Sequence, residues 1–144
     1  MKADQKLNFS SLNKAVESLV RAHERSIPLP LDEELRDACI QRFEFSFELA
    51  WKMIKRRLER DLASPTQLDG ISYKEMMRLA YQARLISDAP SWWLFREMRN
   101  LSSHTYDAQI AAQVYAVIVD FLVQCEFLIK QLDKTLSDKY GGQL

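Results

Sequence analysis

Glycine and proline are scarce in this chain, three and four residues in 144, and they cluster rather than scatter. Breaks are therefore confined to a few places: "SIPLPLDEE" (26–34), "SPTQLDGIS" (64–72), "SDAPS" (87–91) and a terminal "GGQL". Net charge is absent too, with twenty acidic residues cancelling twenty basic ones. Global charge thus predicts neither a nucleic-acid coat protein nor a membrane-surface binder, and any basic site has to be local. The two cysteines, Cys39 and Cys125, stand alone in apolar stretches with no second Cys or His at ligand spacing. That pattern predicts buried free thiols in a reducing compartment and no metal site. No uninterrupted run approaches about 18 apolar residues, and "MKADQKLNFSSLNK" has no apolar leader core, so the expectation is a soluble, cytoplasmic protein with no membrane partner.

What is present is helical periodicity in long stretches, with little β-type alternation. One domain over 1–144 is expected, ordered from about 8 to 138 with 139–144 as a loose tail. A first helix over 8–25 places Leu12, Ala15, Val16, Leu19 and Val20 on one face. A second opens at Asp32, a cap followed by two glutamates that suit the helix dipole, and runs to about Leu62. It carries Leu35, Cys39, Phe43, Phe47, Ile54 and Leu58 inward. Ser72 and Glu75 read as a capping box for a third helix, "YKEMMRLAYQARL". Asp88 caps a fourth, with Pro90 in its first turn. A last helix, about 108–138, is apolar on the face from Ile110 through Phe121 to Leu132. The fold class is all-α, an up-and-down bundle of four to five helices.

Between the fourth and last helices lies "EMRNLSSHTYD" (97–107), which packs Arg99, Asn100, His104 and Tyr106 into eight positions. On an unbroken helix Arg99 and His104 diverge by about 140°. Their convergence requires a bend, which Ser102–Ser103 can supply because serines compete for backbone hydrogen bonds. His23, near the end of the first helix, reads as structural or surface. Glu44 and Glu48 share a helix face, and Glu48 precedes Lys52 by four, which is the spacing of an ordinary ion pair. "KMIKRRLER" places Lys52, Lys55, Arg56 and Arg60 near one face, the best local patch for an RNA backbone. In "SWWLF" the adjacent tryptophans point about 100° apart, so one is a candidate to face a partner.

The segment "RNLSSHTYD" resembles the Arg-Asn-x-x-x-His-x-Tyr motif of the HEPN superfamily. "QRFEFSFELAWKMIKRRL" (41–58) and "SYKEMMRLAYQARLISDAPSWWLFREM" resemble the flanking helices of its nucleotidyltransferase substrate-binding, or HepT-like, branch. The likeness covers about residues 8–135. It implies a homodimeric bundle and a small nucleotidyltransferase partner encoded next door. It also implies one of two activities: a metal-independent RNase toxin of a toxin–antitoxin system, or a non-catalytic substrate-binding subunit of the nucleotidyltransferase. A helical adaptor that only dimerises is the third possibility.

Metal-free RNA cleavage needs a base for the 2′-hydroxyl, an acid for the 5′-oxygen, and a cation for the phosphorane. An imidazole ordinarily titrates near neutrality, so His104 can be base or acid, and the planar fork of Arg99 suits phosphate oxygens. Asn100 is the orienting residue. One imidazole is a proton-transfer group short, and a symmetric dimer would bring a second His104. The resemblance further implies that Tyr106 is the residue that the partner modifies with AMP. The chain itself then needs no cofactor, since ATP and magnesium belong to the partner.

Overall fold

The computed structural model describes residues 8–62 and 68–141, with side chains to Lys134. Six α-helical segments follow one another: α1 (Ser10–Ser26), α2 (Glu33–Asp61), α3 (Tyr73–Gln82), α4 (Ala89–Leu101), α5 (Ala108–Ala116) and α6 (Ile118–Gly141). A 3₁₀ turn, Ser102–His104, joins α4 to the segment before α5. No strand occurs among the described residues. The expected connection at 64–72 lies partly outside the described residues, as does the end of the predicted tail, 142–144. The helix itself continues through Gly141.

Local chemistry explains the boundaries. The Asp32 carboxylate accepts from Leu35 N at 2.9 Å and opens α2, with Glu33 and Glu34 in the first turn. Ser72 accepts from Glu75 N at 3.1 Å, but the Glu75 carboxylate pairs with Arg78 at 2.9 Å instead of returning to the cap. The predicted box is therefore half made. Asp88 and Asp107 cap α4 and α5 through Ser91 N and Gln109 N. The third helix ends three residues earlier than periodicity suggested, at Gln82. Arg84 adopts φ 63°, Leu85 N bonds Ala80 O, and Arg84 N bonds Tyr81 O. This is a left-handed helix stop with arginine at the position that glycine usually fills.

The predicted last helix is two. At Val117 the amide reaches back only to Val114 O, at 3.2 Å, before α6 resumes with Phe121 N on Val117 O. Taken as one stretch, Ala108–Lys134 is long and apolar enough, by length and composition alone, to cross a membrane. Here its apolar stripe lies in the core: Ala111, Val114, Val117, Ile118, Phe121, Cys125, Leu128 and Leu132 are all buried. Phe121 is the hub. It meets Phe43 and Phe95 edge-on at 4.9 and 5.2 Å between ring centroids, and Trp92 at 6.0 Å. Such edge-to-face pairs add to area burial, and they fix α2, α4 and α6 against one another. Leu35, expected inward, is only half-buried near the start of α2. Both thiols are buried, and burial raises the pKa of each.

The left-handed arginine generates a test. Arg84→Gly should stabilise the protein by about 1 kcal/mol in urea denaturation, because only glycine adopts that φ without a Cβ penalty. A destabilised variant would contradict this account of the α3 terminus.

Candidate functional site

The site forms where α4 ends. The last turn of α4 carries Arg99 and Asn100, and the chain then tightens into the 3₁₀ turn at Ser102–His104. The predicted bend at Ser102–Ser103 is present. Ser103 Oγ donates to Asn100 O at 3.3 Å. The buried Ser102 hydroxyl lies between Arg99 O, at 2.6 Å, and Glu44 Oε2. With one proton it can donate to one of them, and the carboxylate is the stronger acceptor. The same hydroxyl accepts from Arg99 Nη1 at 3.3 Å.

Arg99 itself is held by two acids of α2. Its Nη1 lies 3.3 Å from Glu44 Oε2, and its Nε lies 3.4 Å from Glu48 Oε2. The second contact is an ion pair by distance, yet the Nε–H is not aimed well enough to be a hydrogen bond, and that nitrogen is buried without a hydrogen-bond partner. This corrects the sequence reading of Glu44 and Glu48. Glu48 pairs with Arg99 rather than Lys52, and its other oxygen accepts from the Trp51 indole N–H at 3.2 Å. The signal was present as two glutamates four apart on one helix face. Nothing local named their partner, which is 55 positions from Glu44 and 51 from Glu48.

The bend does not bring Arg99 onto His104 within the chain. No hydrogen bond, ion pair or ring contact joins them among the described residues. Arg99 and Asn100 line a cleft of about 370 Å³ between α2, α3 and α4, together with Lys55, Trp51, Tyr73 and Arg96. His104 is exposed on the adjoining turn and pairs with Tyr106, whose hydroxyl is 3.4 Å from Nδ1. Their rings meet edge-on at 5.9 Å between centroids. Tyr106 is 86% exposed, more than any other aromatic among the described residues.

The predicted basic stripe divides. Lys52, Lys55, Arg56 and Arg60 are all exposed, but only Lys55 enters the cleft. Arg57, next to them, is buried against Asp61 at 2.8 Å. Of the paired tryptophans, Trp92 is wholly buried and Trp93 is half-buried beneath Lys74 and Arg78, so neither offers a bare face. His23 packs on the Tyr115 ring at 5.6 Å, and burial lowers its pKa. Burial likewise keeps the Tyr73 phenol protonated, and it donates to Trp92 O at 3.0 Å. Sequence reasoning missed Trp51, Tyr73 and Arg96, which come from three helices and share no local pattern.

The sequence model of the nucleotidyltransferase substrate-binding-protein-like family matches residues 7–134. The chain belongs to that family. Its match coincides with the likeness carried by "RNLSSHTYD" and its flanking helices. A curated Haemophilus influenzae protein named as a probable ribonuclease HepT is 38% identical over 135 residues, covering 88% of this chain and 92% of its own. A solved Haemophilus influenzae structure, described as revealing the fold of a substrate-binding domain of a nucleotidyltransferase, aligns with a TM-score of 0.81 and 36% identity. It covers 88% of this chain and 99% of the other. A crystal structure from Thermus thermophilus aligns at a TM-score of 0.69 and 29% identity, over 84% and 98% of the two chains. The all-α HEPN-like bundle is thus the fold of this substrate-binding-family member.

The pinning of Arg99 is directly testable. Glu44→Gln keeps the shape but removes a charge from both Arg99 and Ser102. At this partly exposed position it should cost about 1 kcal/mol in urea denaturation. No measurable loss would mean that the junction contributes nothing to holding the turn.

Proposed function

We propose that the protein is a metal-independent endoribonuclease toxin of the HEPN type, controlled by a partner nucleotidyltransferase that modifies Tyr106 with AMP. The observation that carries the reading is the fixed turn: Ser102 and Arg99 are tied to α2, while His104 and Tyr106 stand exposed beyond them. A rigid anchor with mobile-proton chemistry at its tip suits transition-state positioning.

In the cleavage step His104 of one protomer removes the 2′-hydroxyl proton, and the resulting oxygen attacks the adjacent phosphorus. The P–O5′ bond breaks as the second protomer's imidazole delivers a proton to the departing oxygen. The products are a 2′,3′-cyclic phosphate and a 5′-hydroxyl. Arg99 offers its planar guanidinium to the phosphorane, while Asn100 orients the phosphate or the imidazole. The separation of Arg99 from His104 within one chain favours a homodimer, in which the motifs of two copies complete one cleft. Exposed Val119 and Val123 on α6 provide apolar surface for association.

The second reading, a non-catalytic subunit that presents a nucleotide or phosphorylated ligand to the partner, has its own support. Arg99 already faces two carboxylates, and ligand phosphate has to share it with them. For control, the exposed Tyr106 hydroxyl is accessible to a transferase, and an attached AMP beside His104 would repel an RNA phosphate.

Cleavage of single-stranded RNA in the presence of EDTA decides between the readings. His104→Ala should lower the rate at least about 100-fold. Arg99→Lys, which keeps a cation between Glu44 and Glu48 but loses the planar fork, should lower it with little loss of fold. Undiminished cleavage by the His104 variant, or none by the native protein, would favour the binding subunit.

Tyr106 has a separate test. With the partner, ATP and magnesium, intact mass should rise by one or more AMP units as cleavage falls. Tyr106→Phe should still cleave RNA and show no mass increase. A mass increase unchanged by Tyr106→Phe would overturn the control mechanism.

A further inference from the structure

The cleft beside Arg99 does not end at Asn100. A second cleft adjoins it, sharing Tyr73, Arg96 and Asn100, and continues past Trp93 to Lys74. Along this path aromatic rings and cations alternate. The Arg96 guanidinium lies 4.7 Å from the Tyr73 ring centroid, and Lys74 Nζ and Arg78 each lie 5.3 Å from that of Trp93. Trp51, fixed by its bond to Glu48, lines the inner cleft with no cation over its ring among the described residues.

The charges are unequal in availability. Glu44 and Glu48 are committed to Arg99, and Glu75 to Arg78. Lys55, Lys74 and Arg96 have no carboxylate partner among the described residues, and the lining carboxylate without a recorded ion pair is Glu97. The path is therefore locally positive on a protein with no net charge. The uncovered Trp51 ring with unpaired cations beyond it is a combination that holds an unpaired strand, by base stacking and backbone attraction together. A cleft of about 370 Å³ admits one nucleotide, not a duplex, and a base must leave its stack to lie on Trp51.

We propose that the two clefts form a binding track for single-stranded RNA. One base rests against Trp51 in the inner cleft, and successive phosphates lie along Lys55, Arg96 and Lys74. The track delivers the strand to Arg99, Asn100 and the His104 turn. This rests on the nuclease reading and deepens it, because it moves the RNA path from the exposed stripe Lys52–Arg56–Arg60 to the face formed by α3 and α4.

The test measures binding rather than cleavage. A fluorescein-labelled ten-nucleotide RNA is titrated into full-length protein carrying His104→Ala, so that the strand persists. Three phosphate contacts predict a log–log salt slope of about −2, and Arg96→Ala combined with Lys74→Ala should flatten it by roughly 1.4. That double variant should weaken binding at least about tenfold at low salt. Trp51→Leu should weaken it by about tenfold, and Trp51→Phe, which restores a ring, should recover most of the loss. Binding indifferent to these changes, lost equally with Lys52→Ala plus Arg60→Ala, or matched in affinity by AMP alone overturns the track. Absence of RNA binding overturns it as well. Track-dependent binding by a native protein that never cleaves would leave the track standing and remove the nuclease reading, so the two failures are distinct.

Discussion

Everything at the Arg99 end of the bundle depends on one guanidinium. Arg99 sits where α4 runs out, two-thirds withdrawn from solvent, and neutralising partners lower the cost of that withdrawal. Glu44 and Glu48 supply those partners from α2, and Ser102 joins the same group through its hydroxyl. The consequence is mechanical as well as electrostatic. The chain is tied to α2 on both sides of the α4 terminus, so the turn that follows leaves the bundle in a set direction. His104 and Tyr106 stand exposed just beyond the tied residues Arg99 and Ser102.

The tie holds because the helices beneath it are fixed. Phe121 locks α2, α4 and α6 through edge-on contacts with Phe43, Phe95 and Trp92. An error of one helical step in that packing would rotate Glu44 and Glu48 about 100° away from Arg99. The same packing leaves a gap between α2, α3 and α4 at the Arg99 end, lined by Trp51, Tyr73 and Arg96. The core aromatics come from α2, α4 and α6 and the cleft lining from α2, α3 and α4, so α2 and α4 serve both.

The helices and most of their caps were legible in the sequence, because periodicity and capping are local. Asp32, Ser72 and Asp88 all cap the helices they were expected to cap. The two boundary errors have local causes that run against residue preference. Arg84 occupies a glycine position, and the tightened turn at Val117 interrupts an apolar pattern that continues straight through it. The motif at 99–106 was legible through its resemblance, and the bend at Ser102 through the chemistry of serine. The partners of Arg99 were not, since the ion pairs join residues 51 and 55 positions apart, and a commonplace i,i+4 spacing offered Glu48 a nearer lysine. The cleft was illegible for the same reason: its cations read as a solvated surface until three helices are brought together.

The central claim is that the pinned turn presents two imidazoles, one from each protomer, as the base and acid of RNA cleavage. The pH dependence of the cleavage rate in EDTA tests it most directly. Two imidazoles acting in opposite protonation states predict a bell-shaped profile that is lost in His104→Ala. A rate independent of pH, or a bell that survives in His104→Ala, would contradict the account.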